Sequence, residues 1–562
     1  MEKMTESQVS ESERLNKRKR GESPRYPEKI YICPAPRNFN SAYSAENEMT
    51  AQLTPALVLI VLFLYFAMLI GVAWLTGRNV SNEGFFLANR KVPWYVVAYA
   101  MIGTSISGVT FISIPGKVGG TGLNMAFSYM QVVFGYLAGY LFIATVLMPL
   151  YYRLQLTSIY GYLEQRLGHR SYKTGAAFFL LSRTLGSASR MFLAASVLQI
   201  FVFAPLGVPF PLTVSLMLGL IYAYTFKGGL KTIIWTDTIM TTFFLAALIF
   251  TVVTVGKTLD ITAGNLVPSI MEGRYGKIFF FDNFLTDPNH FVKQFVSGAL
   301  IAIAMTGLDQ DLMQKNLACK NIREAQKNMF VFCIYLVVIN FLFLMLGALL
   351  YQYAGSLGLQ IPARTDYLYP KIAFDHLGMA AGIFFILGLI GSTYASSDSA
   401  LTALTTSFCV DFLNFEKNTP VRPETYAQES ELLAYEAAIR KQTRARTLVH
   451  LGFSALFVVI ILVLNAVSSD AVINLIFKIA GYTYGPLLGL FIFGLFTDLK
   501  IHDRLSVIVC LLAPALTWLM EVTCKQWFDL GFLTILINGM FTFAGLWVIS
   551  YRETPGESRD VD

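Results

Sequence analysis

The sequence predicts an all-α polytopic membrane protein with about 13 transmembrane helices. Three observations carry that prediction. Of 562 residues, 55% are hydrophobic and 14% charged, whereas soluble domains carry about 25% charged residues. Apolar runs long enough to cross a bilayer, about 20 residues each, recur along nearly all of the chain beyond its first 50 residues. Lys and Arg crowd alternate loops: with GRNVSNEGFFLANRK placed inside, the inside loops carry about three times as many as those opposite, as the positive-inside rule requires. An integral protein of the plasma (inner) membrane follows, N-terminus outside and C-terminus cytoplasmic, with the lipid bilayer as its partner.

Taken in order, the first 48 residues include KRKR and a near balance of bases and acids, a composition typical of disorder. They hold no apolar signal-peptide core. Met49 opens MTAQLTPALVLIVLF directly ahead of the first span, so residues 1–48 read either as a disordered tail or as sequence upstream of the true start. The membrane domain, 49–552, then places spans near 53–76, 93–117, 123–150, 173–204, 210–226, 233–256, 291–312, 328–354, 378–412, 447–468, 471–496, 505–524 and 529–551. Residues 553–562 form a cytoplasmic tail. Cys33, Cys319, Cys333, Cys409, Cys510 and Cys524 show no CxxC spacing, which suggests neither a disulfide framework nor a zinc site. The net charge of +7 follows from the inside loops and does not point to nucleic acid, and no obligate protein partner is evident.

Two spans are punctuated. The second, AMIGTSISGVTFISIPGKVGG, holds Gly103, Gly108, Pro115 and Gly116 among Thr104, Ser105, Ser107 and Thr110, and helix should break there. The seventh, SGALIAIAMTGLDQDLMQ, is interrupted at Gly298 and Gly307. Irregular backbone at membrane depth survives only where protein buries it or it lines a cavity. Weak helices at matching places in two halves mark an inverted repeat with sites at the breaks. Spans 2–6, about 93–256, and spans 7–11, about 291–496, would be the two five-helix repeats.

The polar side chains inside spans carry the chemistry. In span 3, FSYMQVVFGY offers Gln131 as a hydrogen-bonding group for a polar solute or for a neighbouring helix. In span 4, LLSRTLGSASRMFLAA sets Arg183 and Arg190 seven apart on one face. Such charges either pair with acids as structural glue or receive an anionic solute group through a bidentate fork. Asp237 in IIWTDTIM lies about one turn inside span 6, whereas Asp309 and Asp311 in GLDQDLMQKN sit near the end of span 7 and read as structural. Span 9 contains GSTYASSDSALTALTTSF, with ten hydroxyl-bearing side chains. Ser392, Ser396, Ser399 and Thr406 share one face there, with Ala395 and Asp398 beside it. Hydroxyls alone are explained by close helix packing. An ionised Asp at mid-membrane costs about 2.5 to 3.5 kcal/mol and marks an ion or proton path, so Asp398 calls for a cation or a proton.

Four stretches taken together, EGFFLANRKVPWYVVAYAMIGTSISGVTFISIPG, GGLKTIIWTDTIM, DQDLMQKNLACKN and ASSDSALTALTTSFCVDF, resemble the solute:sodium symporter family, which includes sodium/glucose, sodium/proline and sodium/sialic acid transporters. The resemblance implies a LeuT-type five-plus-five inverted repeat working by alternating access, with Na+ as coupling ion. It implies a sodium site between the span-2 break and span 9, with carbonyls of Gly103, Ile106 and Ser392 and the Ser396 hydroxyl as ligands. The family places two adjacent hydroxyls there, and the first slot is Ala395 in this chain. Ser397, water or Asp398 would have to make good the missing ligand. Where relatives hold a second sodium, the matching positions are Asp237, Asp398 and Ser399, a carboxylate replacing a hydroxyl, so Asp398 either makes a second sodium site or carries a proton. For a small polar solute the resemblance implies Ser105, Ser107, Thr110, Gln131 and either Arg183 or Arg190. Met305 takes the slot of a gating tyrosine of sodium/glucose transporters, which weakens a hexose reading and favours an anionic sugar or small carboxylate.

The chain therefore reads as a sodium-coupled importer and not an enzyme, with a proton-coupled symporter of the same fold as the alternative. An intramembrane aspartyl protease would need two membrane acids as a dyad. Asp237 in IIWTD and Asp398 in ASSDS lack its GxGD-type setting. A sensor built on a transporter core would need a signalling domain, and the longest internal polar loop, about 413–446, is too short for one.

Overall fold

The computed structural model describes residues 54–77, 82–225, 229–415, 429–467 and 472–552. The chain divides into Met1–Thr50, outside the described residues, and Ala51–Asp562, to which the following refers. The expected tails at 1–48 and 553–562 lie outside the described residues. Ten described helices are long and apolar enough to cross a membrane, twelve if each of two bent pairs is one span, and the shorter apolar helix Phe210–Thr225 occupies the remaining expected span.

In chain order the helices are α1 (Pro55–Thr76), α2 (Trp94–Ser105), α3 (Gly108–Val118), α4 (Tyr129–Phe142), α5 (His169–Leu198), α6 (Phe210–Thr225), α7 (Gly229–Thr258), α8 (Phe291–Ala302), α9 (Gln310–Leu317), α10 (Ile322–Ser356), α11 (Gly378–Ser407), α12 (Glu429–Val467), α13 (Val472–Phe496), α14 (Asp503–Cys524) and α15 (Thr534–Val548). Short helices join several of them. One two-stranded antiparallel ladder pairs β1 (Lys500–Ile501) with β2 (Ser550–Tyr551), Lys500 opposite Tyr551 and Ile501 opposite Ser550. Burial sorts the bundle into centre and rim: 72% of the apolar window of α11 is buried, against 22% for α12 and α14. An apolar helix exposed on most of its surface suits an apolar solvent, which places α12 and α14 at the rim of the bundle.

The two expected breaks are present. Between α2 and α3 the chain bends by 56°, because Ile106 (φ −88°, ψ 84°) and Ser107 (φ −76°, ψ 174°) leave the helical region. Between α8 and α9 the bend is 63°. There a single π turn, Ile303–Gly307, is followed by Leu308 and an extended Asp309, whose side chain caps α9 by accepting from the Asp311 N–H at 2.9 Å.

Gly298, expected to interrupt the seventh span, does not. It sits in regular helix, where a Cβ would stand 2.1 Å from the Val132 carbonyl, so its role is close approach of α8 to α4. Gly298→Val is expected to cost about 1–3 kcal/mol through overpacking. The purified protein should then unfold several degrees lower. Gly219→Ala on α6, with open space around it, should not lower the unfolding temperature.

Candidate functional site

The break in the second span creates the site. Helix α2 ends at Ser105, so the carbonyls of its last turn lack partners further along the helix, and only that of Ile102 is taken, by the Ile106 N–H. The α2 dipole presents its negative end at the break, and the non-helical Ile106 leaves its carbonyl outside both helices. Opposite the break is α11. A Cβ built on Gly103 would stand 3.3 Å from the Ala395 methyl, and one on Gly108 would collide with the Thr393 hydroxyl at 2.2 Å. Ser392 and Ser396 are buried beside this contact. Each hydroxyl donates to its own helix, Ser392 to the Leu389 carbonyl at 3.1 Å and Ser396 to the Thr393 carbonyl at 2.9 Å, which leaves their lone pairs to accept a cation. Among the described residues no group of three His, Cys, Asp or Glu could hold a metal ion. Carbonyls and hydroxyls are the ligands on offer, and such an oxygen set suits a hard monovalent ion.

The residues expected at a second ion position are each engaged elsewhere. Asp237 Oδ2 lies 2.5 Å from Lys315 Nζ and accepts from Thr104 Oγ1 at 3.0 Å, while its Oδ1 has no partner. Asp398 accepts from the Tyr224 hydroxyl at 2.8 Å and from the Ser399 N–H at 2.5 Å. The Ser399 hydroxyl donates to Asp311 Oδ1. No side chain–side chain hydrogen bond joins Asp237, Asp398 and Ser399, the Asp398–Ser399 link running through the Ser399 N–H. All of these groups are buried. Lys315, in the same DQDLMQKN stretch as Asp309 and Asp311, is the cation paired with Asp237.

On the other side of the break lies a cavity. Ser105, Ser107 and Thr110 line it from the break, Arg183 and Arg190 from α5, and Met305 and Thr306 from the π turn. Gln131 does not reach it: its amide donates to the Asn289 carbonyl at 2.8 Å and accepts from the Phe280 N–H at 3.1 Å, binding the segment ahead of α8. The reason is register, since Gln131 sits about 160° round α4 from the face carrying Tyr129, Tyr136 and Tyr140. Those three tyrosines line the cavity. Tyr129 and Tyr136 pair through their hydroxyls at 3.0 Å. Their spacing of seven and four was a readable signal.

The two arginines differ. Arg183 is 3% exposed and bound by both acids at the start of α9, its Nη2 to Asp311 and its Nη1 3.6 Å from Asp309. Asp309 also accepts from the Tyr484 hydroxyl at 2.5 Å. Asp309 and Asp311 are thus the counter-ions of Arg183. Arg190, two turns along α5, faces the same cavity and has no acid within ion-pair distance among the described residues. Thr104 both lines the cavity and bonds Asp237, so the cavity and the buried carboxylates share a wall.

With this geometry in hand, likeness to known proteins is informative. The model of the Sodium:solute symporter family matches residues 85–503. The sodium/sialic acid symporter NanT of Aliivibrio fischeri is 24% identical over 513 residues, covering 88% of this chain and 94% of that protein. The sodium/glucose cotransporter of Vibrio parahaemolyticus is 26% identical over 383 residues, 63% of this chain and 68% of that one. The solved structure of a Na+-coupled sialic acid symporter in a substrate-bound, outward-open state superposes with a TM-score of 0.71 at 18% identity, covering 87% and 97% of the two chains. At that identity the match shows a shared fold.

Proposed function

The chain belongs to the sodium:solute symporter family, and from that premise we propose that it imports a small anionic solute, a sugar acid or short carboxylate, whose charged group is held by Arg190. Membership makes it an integral membrane transporter with Na+ as coupling ion. The observation that carries the solute class is the contrast on α5: Arg183 is neutralised by two acids, whereas Arg190 faces a polar cavity without one. A guanidinium so placed is poised for bidentate capture of a carboxylate. Ser105, Ser107, Thr110 and the tyrosine stripe offer hydroxyls for the rest of the molecule.

Sodium would sit between the free carbonyls of Gly103 and Ile106 and the Ser392 and Ser396 side of α11, tying α2 to α11 in the solute-ready state. Solute and ion then raise each other's affinity equally. With the N-terminus outside, each sodium charge moving inward across 100 mV would supply about 2.3 kcal/mol. Asp398 has only neutral donors among its hydrogen-bond partners, and the nearby Lys315 is ion-paired with Asp237, so two buried carboxylates share one cation, which is unfavourable. A second cation or a proton at Asp398 relieves that, which keeps proton coupling as the second reading.

The test is a thermal-unfolding panel on purified protein in sodium, with sialic acids, hexuronates and monocarboxylates against neutral hexoses and amino acids. Stabilisation by one class of anion, absent in potassium, is expected. Stabilisation by neutral hexoses and by no anion would overturn the anionic reading.

A further inference from the structure

Resting on the sodium position between α2 and α11, we propose that the hydroxyl of Thr241 on α7 is a sodium ligand, supplying from a different helix the oxygen that Ala395 lacks. Thr241 Oγ1 lies 2.4 Å from the point where a Gly103 Cβ would stand, and the Ala395 methyl lies 3.3 Å from that same point. Hydroxyl, methyl and the last turn of α2 therefore meet at one place. Thr241 is one turn beyond Asp237 and fully buried.

Its hydroxyl is also unlike its neighbours. On α7, Thr236, Thr238, Thr242, Thr251, Thr254 and Thr258 each donate back to a carbonyl of their own helix. Thr241 Oγ1 has no hydrogen-bond partner. Leaving a buried hydroxyl unpaired is unfavourable when the helix behind it offers a carbonyl. The penalty is removed when a cation sits beside the oxygen. Gly103 completes the argument, because any side chain there would strike Thr241 and displace the hydroxyl from the free carbonyls of α2.

The experiment measures unfolding temperature of the purified full chain in detergent against Na+, with choline holding ionic strength and K+ as control, and without solute. Thr241→Val keeps the shape and removes the oxygen. It should raise the Na+ concentration for half-maximal stabilisation at least about tenfold, the scale on which even outer-shell partners act, while Thr241→Ser stays near wild type. Adding Ala395→Ser to Thr241→Val should restore the wild-type value, because the hydroxyl returns from α11. An unchanged half-saturation in Thr241→Val would overturn the assignment, as would weakening that Ala395→Ser does not rescue. A lower unfolding temperature with the same sodium dependence would also overturn it, by making Thr241 a packing residue. Where Thr241→Val does not fold, Ala395→Ser alone decides: a complete shell leaves half-saturation near wild type, and tightening by about tenfold exposes an unfilled slot and overturns the proposal. Wild-type protein stabilised equally by Na+ and K+ would sink the sodium position itself, a different failure from a sodium-responsive wild type beside an indifferent Thr241→Val.

Discussion

Replacing Arg190 by alanine is expected to weaken solute binding by roughly 100-fold or more while leaving sodium-dependent stabilisation near that of the wild type. The magnitude follows from what the side chain would do. Truncating one member of a buried, hydrogen-bonded charge pair costs about 2–5 kcal/mol, and each 1.4 kcal/mol is a factor of ten. Arg190→Lys keeps the charge and loses the planar fork, so it should recover only part of the affinity. Arg183 provides the contrast. Its removal strands Asp309 and Asp311 without their cation, and breaking a buried pair costs about 3–5 kcal/mol of stability. Arg183→Ala should therefore lose folded protein, and Arg190→Ala should lose solute affinity in folded protein. Calorimetric titration of solute beside unfolding curves separates the two. Equal solute affinity in wild type and Arg190→Ala would remove the anionic reading.

Asp398→Asn carries the second large effect. Among the buried groups around the two sites are four carboxylates, Asp237, Asp309, Asp311 and Asp398, while the cations paired with them are Arg183 and Lys315. Arg190 is turned to the cavity. Asp398 is thus the one of these four without an ion pair among the described residues, and its charge is the one we assign to a mobile cation or a proton. Asparagine removes the charge, keeps one oxygen for the Ser399 N–H and turns its amide N–H to the Tyr224 hydroxyl, which can accept. The ion-free protein should then gain stability, by about 1–3 kcal/mol. In the same variant, sodium activation of uptake should lose steepness, or the pH dependence of uptake should disappear. Unfolding curves without sodium and uptake titrations in sodium and across pH read both. An unchanged ion-free stability together with unchanged activation curves would show that Asp398 is only a hydrogen-bond acceptor.

Much of this architecture was legible because it is local. The spans follow from runs of apolar residues, and the break at Ile106 and Ser107 falls between Gly103 and Gly108, where the pattern of small and hydroxyl residues weakens the helix. The burial of α11 was announced by an Asp in an apolar run. What was not legible depends on partners far apart in sequence. Asp309 and Asp311 looked like end-of-helix acids, and only packing of α9 on α5 makes them counter-ions of Arg183. Lys315 carries no local mark of its pairing, which the bend after Gly307 creates by turning it onto Asp237. Gln131 and the tyrosines share one helix, and periodicity could have separated their faces had the cavity side been known. Thr241 shows the remaining limit, because a threonine on an apolar helix gives no sign that its hydroxyl lacks a partner.

The central claim, that sodium entering between α2 and α11 drives uptake of an anion held at Arg190, is tested most directly in proteoliposomes. Uptake of the best-stabilising anion should be followed under an inward sodium gradient, under potassium in its place, and under a pH gradient without sodium. The account predicts accumulation with sodium alone, faster when the interior is made negative if more sodium charge than solute charge enters. Accumulation indifferent to sodium and driven by the proton gradient would contradict it.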